Sequence, residues 1–377
     1  MTEVTLKEVT DKKGLRDFLK VPFHTFAGDR NWVAPLYLER LEYFDPKKNP
    51  YFEHAEIKLF VAYRDGKPVG RISAQDDHLR LETQKDNMGV FGFFDAENDP
   101  AVAEKLLQAA QSWLASRGRS GMLGPFNLSI NDEMGLLIDG FDRPPVVFMP
   151  HGLPYYQRLV EQQGLVKAKD VIAYDCLNVS LPPLMERVRR RALASGDFSV
   201  RPLNMKDVGG EIKSLISMFN DAWSGNWGFV PFTEAELRKL AKDLKMVVNA
   251  NYGAVASYKG EEAAFVITLP NINEWIAGMN GRLLPFNWLT LAGHVLRKKP
   301  KTYRMPLMGV KQKHHNTAVG SALATLVIEA ARSYHSARGA THIELSWILE
   351  DNYPVRKIIE SFGAVPYKTY RIYQKDF

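Results

Sequence analysis

A mixed α/β sheet fold, built twice in tandem, is what the sequence predicts, and three observations carry that prediction. The chain has 377 residues, a length that suits two domains of ordinary size. Its composition is 45% hydrophobic and 24% charged, which excludes a disordered, collagen-like or coiled-coil chain. Strand and helix patterns run through both halves in one order: strand, helices, hairpin, strand, long helix, strand, short helix, strand.

Each element follows from a local pattern. Residues 5–9 alternate and read as a strand, and 11–20 as a short helix. Residues 31–35 and 45–52 are loop-like. Two β-rich runs, 57–63 and 68–74, flank Asp65-Gly66, a hairpin turn signal. Residues 89–94 form the next strand. Leu106, Leu107, Ala110 and Leu114 share one face of a helix over 101–117, which Gly118 ends. A strand at 122–126, a loop-rich stretch at 127–150, a helix at 155–163 and a strand at 171–179 complete the first half. Leu181-Pro182-Pro183 breaks structure, 184–194 is a basic helix, and Ser195-Gly196-Asp197 is a turn. The order then restarts, with a strand at 199–202 and helices at 211–223 and 233–248. Hairpin arms at 253–258 and 263–269 follow, then a strand at 305–310 and a long helix at 319–338 ended by Gly339. A strand at 342–346, a short helix at 354–361 and a strand at 369–374 close the chain. The expected domains are 1–180 and 199–377, joined by a linker with a basic helix over 181–198.

The net charge of +6, from 49 Lys+Arg against 43 Asp+Glu, suits a polyanionic partner without choosing between a phosphorylated cofactor, a membrane surface and nucleic acid. Cys176 is the single cysteine, which excludes an internal disulfide framework and a cysteine-rich zinc module. It lies mid-strand among apolar neighbours and reads as core. His314 and His315 are adjacent and no other histidine stands at ligand spacing, so no metal is expected. Charges interrupt the apolar runs of the N-terminus, and no 18-residue uncharged apolar stretch exists. The expectation is a cytoplasmic protein without a signal peptide or membrane span. The longest apolar-rich run, 283–296, contains Trp288 and is followed by Arg297-Lys298-Lys299-Pro300-Lys301. It reads either as a solvated face or as a segment resting on the anionic inner face of a membrane. Arg187, Arg189, Arg190 and Arg191 form a second basic cluster with the same two readings. No recognised module surrounds either cluster, so no nucleic-acid partner is expected.

The segment with chemistry lies between 307 and 363. A strand ending at Val310 leads through Lys311, Lys313 and His315 into a helix that begins Ala318, Val319, Gly320, Ser321. Small residues there let a ligand approach the backbone, and free N–H groups with the helix dipole favour a pyrophosphate. A plain strand-to-helix turn packed by a small residue fits the loop equally well. The order and spacing of 199–377 resemble the GNAT acyltransferase superfamily, whose signature loop is Arg/Gln-x-x-Gly-x-Gly/Ala. Aligned on Gly320, the first position is His315 and the fourth is Ala318, both departures, while Gly320 and Ser321-Ala322-Leu323 match. The resemblance implies acyl-coenzyme A at this loop, its pyrophosphate held by backbone amides with Lys311 or Lys313 and with His315 as a donor. Residues 346–352 and 355–364 resemble the superfamily's splayed strand, asparagine and short helix; the gap beside that strand takes the thioester.

Direct acyl transfer to an amine needs a base, oxyanion donors and an acid for the thiolate. The resemblance implies Glu350 as the base, at the expected end of the splayed strand; a solvated loop carboxylate is the other reading. Asn352 caps the short helix or orients the pantetheine arm. The tyrosine that serves many members as acid is replaced by Ile359, and Tyr353 is the substitute considered. In the first half the corresponding loop, Asp95-Ala96-Glu97-Asn98-Asp99-Pro100, is acidic where a pyrophosphate would bind. That half is expected to be GNAT-like without cofactor binding.

The whole chain resembles a bacterial group of tandem GNAT-like acyltransferases that includes bacterial ceramide synthases. The resemblance rests on Gly124-Pro125-Phe126-Asn127, Asn131-Asp132-Glu133, 135–141, Tyr155-Tyr156 and 346–352. It implies two tandem GNAT-like domains and an acyl-CoA-dependent N-acyltransferase acting on a small-molecule or long-chain lipid amine. The altered loop and absent tyrosine leave a non-enzymatic acyl-CoA or lipid-binding protein as the alternative. For the acceptor, Asn131, Asp132 and Glu133 either face the substrate or form a turn and helix cap. Trp227 and Phe229 belong to an aromatic, Gly-rich loop that suits a large apolar acceptor or plain packing.

Overall fold

A computed structural model describes residues 3–177, 180–297 and 299–377. The first half of the chain runs β1 (Thr5–Glu8), α1 (Lys12–Thr25), α2 (Tyr37–Tyr43), β2 (Ala55–Arg64), β3 (Lys67–Asp77), α3 (His78–Gln84), β4 (Met88–Ala96), α4 (Pro100–Ser116), β5 (Gly121–Gly124), β6 (Phe126–Asn127), β7 (Glu133–Met134), β8 (Leu136–Asp139), α5 (Tyr156–Glu161) and β9 (Val166–Leu177). The second half runs α6 (Pro183–Ser195), β10 (Phe198–Pro202), α7 (Val208–Trp223), α8 (Glu234–Leu244), β11 (Gly253–Tyr258), β12 (Glu261–Pro270), α9 (Asn273–Ile276), α10 (Asn287–Arg297), β13 (Thr302–Val310), α11 (Ala318–Ser336), β14 (His342–Leu349), α12 (Tyr353–Ser361) and β15 (Val365–Asp376). Asn178 and Val179 of the expected strand at 171–179 lie outside the described residues.

Contacts divide the chain into two compact units. The first is Met1–Ile172 with Ile276–Leu284 and Lys368–Phe377; the second is Ala173–Trp275 with Pro285–Tyr367. In the first, the strand order is β1-β2-β3-β4-β5, antiparallel except for the parallel pair β4/β5, and Tyr373–Asp376 of β15 runs antiparallel to β5. In the second, the order is β10-β11-β12-β13-β14, again with only the last pair parallel, and β9 is the outer neighbour of β14. The last strand of each half in sequence is thus exchanged, which a division at 181–198 does not anticipate. Strand partners are chosen by hydrogen bonding and burial, not by nearness in sequence. Nor is 181–198 a free connector, because α6 packs along α11, with Thr325 Oγ1 3.6 Å from Met185 Sδ.

One long helix covers one face of each sheet. α4 buries Val102, Leu106, Ala110 and Leu114, and α11 buries Leu323, Leu326, Val327 and Ala331, each at the three-and-four spacing of a helix face. Both units carry a bulge at the same place. One residue of β3, Ile72, faces two of β4, Phe93 and Phe94 (Arg71 opposite Asp95, Ser73 opposite Gly92), and one residue of β12, Thr268, faces two of β13, Met305 and Pro306 (Leu269 opposite Arg304, Ile267 opposite Leu307). The expected strand at 122–126 is broken instead: β5 ends at Gly124, and Phe126–Asn127 pairs with Glu133–Met134. Residues 136–139, expected as loop, form β8 because β15 supplies a partner more than two hundred residues away in sequence.

At the far end of α11, His335 is fully buried and stacks at 3.6 Å on the Tyr303 ring. Its Nε2 lies 2.7 Å from Thr268 Oγ1, whose hydroxyl donates to the Tyr252 carbonyl, so His335 donates from Nε2. Burial, and secondarily Arg338, lowers its pKa to about 3. Below its ordinary value near 6.5 the unfolded chain takes up a proton that the folded chain refuses. The associated stability is therefore complete above about pH 6.5 and declines as pH falls toward 3. By pH 5 the loss is about 2 kcal/mol. Urea midpoints at pH 7 and pH 5 should draw together in His335→Phe, and an unchanged gap would exclude this residue as its source.

Candidate active site

The site is built where β13 and β14 part. Their parallel ladder pairs Thr302–Met305 with His342–Leu345 and ends there, although β13 continues to Val310 and β14 to Leu349. The β13 bulge lies at this point, and Pro306 within it has no N–H to offer. Beyond Met305 the two strands form a fork whose backbone groups suit an extended, amide-bearing ligand.

At the mouth of the fork, β13 passes through a 3-10 turn, Gln312–His314, into α11. Thr317 is the N-cap: its hydroxyl accepts from Gly320 N at 3.0 Å and donates to the His314 carbonyl at 2.8 Å. A Cβ at position 320 would lie 2.1 Å from the His314 oxygen, so only glycine lets the turn close over the helix start. Ala318, Val319 and Ser321 stand around it on the first turn. The expected phosphate cations Lys311 and Lys313 both pair with Glu261, at 3.0 and 2.5 Å, and they pull its carboxyl down to about 2. His315 turns Nε2 back to donate to the Val310 carbonyl at 2.7 Å. If these lysines serve an anion here, Glu261 competes with it. Glu261→Gln should then tighten coenzyme A binding roughly two- to five-fold at low salt. Calorimetry showing no change, or weaker binding, would remove the lysines from the site.

On the α11 and α12 side of the fork lies an apolar pocket of about 70 Å³, lined by Met305, Met308, Ile328, Leu345, Ile359 and Phe362 among others. Cys176 also borders it, its thiol pushed up by burial. Ile359, where the sequence comparison sought a tyrosine, is buried on this wall.

A buried polar cluster sits at the root of the fork. Arg304 and Glu344 are opposite one another in the last rungs of the ladder, and both are buried. Arg304 Nε donates to Ser346 Oγ at 2.9 Å, and Ser346 donates on to Glu344 Oε1 at 2.5 Å. The Tyr367 hydroxyl donates to Glu344 Oε2. The Arg304 guanidinium lies 5.0 Å from the Trp347 ring centroid. Ser346 and Trp347 belong to the segment that carries the family resemblance, but Arg304, Glu344 and Tyr367 are not singled out by the sequence. Their one signal was a charged residue inside each of two otherwise apolar strands.

The residues expected to be catalytic lie further along. Glu350 follows β14 in the turn, and its carbonyl accepts from Arg356 Nη1 at 2.7 Å. Asn352 caps α12 by accepting from Val355 N at 3.3 Å. Tyr353 is exposed, its ring under the Arg356 guanidinium. Phe229 packs on Phe219 in the apolar layer between α7 and the sheet, and Trp227 is half-buried in the same loop. Asn131, Asp132 and Glu133 belong to the first unit. Asn131 N and Ser129 N donate to Ser129 Oγ and Asp132 Oδ2, which makes a tight turn. Glu133 accepts from Arg40 at 2.5 Å and from Asn127 at 2.8 Å, and Arg40 holds its carboxyl lowered against burial.

The first unit has a matching fork, with its ladder ending at Val90/Leu123, but β6 fills it. Gln75 Nε2 donates to the Phe126 carbonyl at 3.0 Å, and Phe93 N donates to Asn127 Oδ1 at 2.7 Å. A Cβ on Gly92 would fall 1.7 Å from that same Phe126 oxygen. The acidic loop ahead of α4 is tied inward, with Arg64 paired to Glu97 and Asp99, and Arg71 to Asp95 at 2.7 Å.

No family model matches the chain. It is 44% identical over 363 residues to "Bacterial ceramide synthase" of Caulobacter vibrioides (strain NA1000 / CB15N), covering 96% of this chain and 94% of that protein. It is 40% identical over 371 residues to "Protein YghO" of Escherichia coli (strain K12), covering 97% and 93%. Among solved structures, a tandem GNAT protein from the clavulanic acid biosynthesis pathway superposes with a TM-score of 0.57 at 11% identity, covering 99% of this chain and 98% of that one. A GCN5-related N-acetyltransferase from Sphaerobacter thermophilus gives 0.52 at 10% identity, covering 99% and 95%. These structures share the fold, and the two closely similar sequences share nearly the whole length. The chain belongs to the tandem GNAT-like acyltransferase family that includes bacterial ceramide synthase.

Proposed function

We propose that the chain transfers an acyl group from acyl-coenzyme A, held by the second unit, to the amine of a long-chain lipid. The observation that carries this reading is the fork, where the β13/β14 ladder stops at Met305/Leu345 in front of a helix start built on Gly320. The first unit offers no equivalent opening, because β6 fills its fork and carboxylates line its loop. The lipid amine is suggested by the 44% identity to a protein named ceramide synthase.

In this reaction the free amine attacks the thioester carbonyl. A C–N bond forms, the C–S bond breaks, the nitrogen loses a proton and the leaving thiolate gains one. Glu344 is the carboxylate at the root of the fork and fits the base better than Glu350. Its two oxygens are oriented by Ser346 and Tyr367. Tyr367 stands beside it as a hydroxyl able to pass a proton. The deciding assay follows thiol release from acyl-coenzyme A of several chain lengths with a sphingoid base, a polyamine and no amine. Release that depends on the long-chain amine supports the reading; binding without release for every amine would replace it with a ligand-holding role.

A further inference from the structure

We propose that α10 is a membrane-surface contact, laying an apolar stripe and a basic end against an anionic lipid bilayer. The helix buries no residue fully. Phe286, just before it, and Leu289, Gly293 and Leu296 recur at spacings of three, four and three, and so form one stripe. That stripe points into solvent, with Phe286 73% exposed, Leu289 53% and Leu296 84%. A Cβ added at Gly293 would touch nothing within 4 Å, so nothing packs on the stripe there either. Trp288, 49% exposed, lies off this stripe and adds a further exposed aromatic at the helix start, its Nε1 donating to the Pro285 carbonyl at 3.1 Å.

The opposite face holds the helix in place. Leu291, Ala292 and Val295 are half-buried, and His294 stacks parallel to Trp275 at 6.2 Å. The exposed apolar side chains are therefore presented by an anchored helix, not by a frayed one. Folding normally turns such a stripe inward.

Charge selects the partner. Residues 275–301 contain no Asp or Glu, while Arg282, Arg297, Lys298, Lys299 and Lys301 supply cations. Arg297, Lys299 and Lys301 are exposed at the C-terminal end of the helix. Glu274, the nearest preceding carboxylate, accepts from the Lys301 and Thr302 backbone amides at 2.9 Å. An apolar face with exposed aromatics and an exposed basic end matches the acyl boundary and headgroups of an anionic bilayer. A second copy of this chain fits less well. Phe286, Trp288, Leu289 and Leu296 together present on the order of 500 Å², against the roughly 800 Å² per partner of a stable interface. Among the described residues no helix is long and apolar enough to cross a membrane, so the contact lies on the surface.

The test is flotation of the full chain with vesicles of phosphatidylcholine alone or mixed with phosphatidylglycerol. The chain should float with the mixed vesicles and release as salt rises. Leu289→Ser/Leu296→Ser should weaken that binding at least ten-fold. Arg297→Gln/Lys299→Gln/Lys301→Gln should weaken it similarly and flatten the salt dependence. Both variants should keep the wild-type melting temperature and coenzyme A affinity, which separates this surface from the fork. Absence of flotation by the wild type, or equal flotation by the apolar variant, overturns the proposal. So does light scattering that shows a dimer which the apolar variant converts to a monomer while vesicle binding persists.

Discussion

Gly320→Glu should abolish coenzyme A binding, with a loss on the order of 100-fold or more. Two effects act together. The first side-chain carbon meets the His314 carbonyl at 2.1 Å, which is backbone and cannot swing aside, so the turn must open. The carboxylate then brings negative charge to the helix start where a pyrophosphate is proposed to sit. Gly320→Ala isolates the steric part and should give an intermediate loss. Gly320 is the first buried residue of α11, while the larger apolar side chains that follow, Leu323, Leu326 and Val327, keep their packing, so the variant should melt lower but still fold, and its melting temperature is read beside the binding. Calorimetry with coenzyme A reads the binding. Retention of wild-type affinity in the folded glutamate variant would move the cofactor elsewhere.

Glu344→Gln should lower kcat by about 10²–10⁴-fold, the range of a lost general base, while coenzyme A affinity stays near wild type. The amide keeps the shape and one acceptor oxygen but removes the proton acceptor. Glu350→Gln, altered in the turn after β14, should change kcat little. The reverse ranking of the two variants would restore Glu350 as base. Glu344→Ala is the harsher change. It leaves the buried Arg304 without the carboxylate it reaches through Ser346, and a broken buried charge network costs about 3–5 kcal/mol. Tyr367→Phe removes the hydroxyl's hydrogen bond to Glu344 and should cost about 1 kcal/mol. Chemical denaturation measures both, and the kcat of Glu344→Gln is interpretable only with its stability beside it.

Much of the fold was legible because it is local. The hairpin at Asp65-Gly66, the helix face of Leu106, Ala110 and Leu114, and the small residues at the start of α11 all announce themselves within one or two turns of chain. Expectations failed where a partner lies far away in sequence. β8 is a strand because β15 pairs with it, and 126–127 leaves β5 to fill the first fork. The candidate site divides the same way. Gly320 and its loop were visible as a motif. Glu344 was not, since an isolated charge in an apolar strand gains meaning only when Arg304, Ser346 and Tyr367 converge on it.

By itself the sequence determined that there are two halves of one pattern, that the second carries a helix start shaped for close backbone approach, and that the usual tyrosine is replaced by Ile359. Those are properties of residue type and spacing, which act over a few residues. Only the tertiary structure decided that the halves exchange their last strands, that one fork is open and the other filled, and that the stripe on α10 faces solvent. Each of these depends on which remote backbone or side chain satisfies a hydrogen bond or covers an apolar face. That choice is made by burial and geometry across the whole chain, not by any local preference.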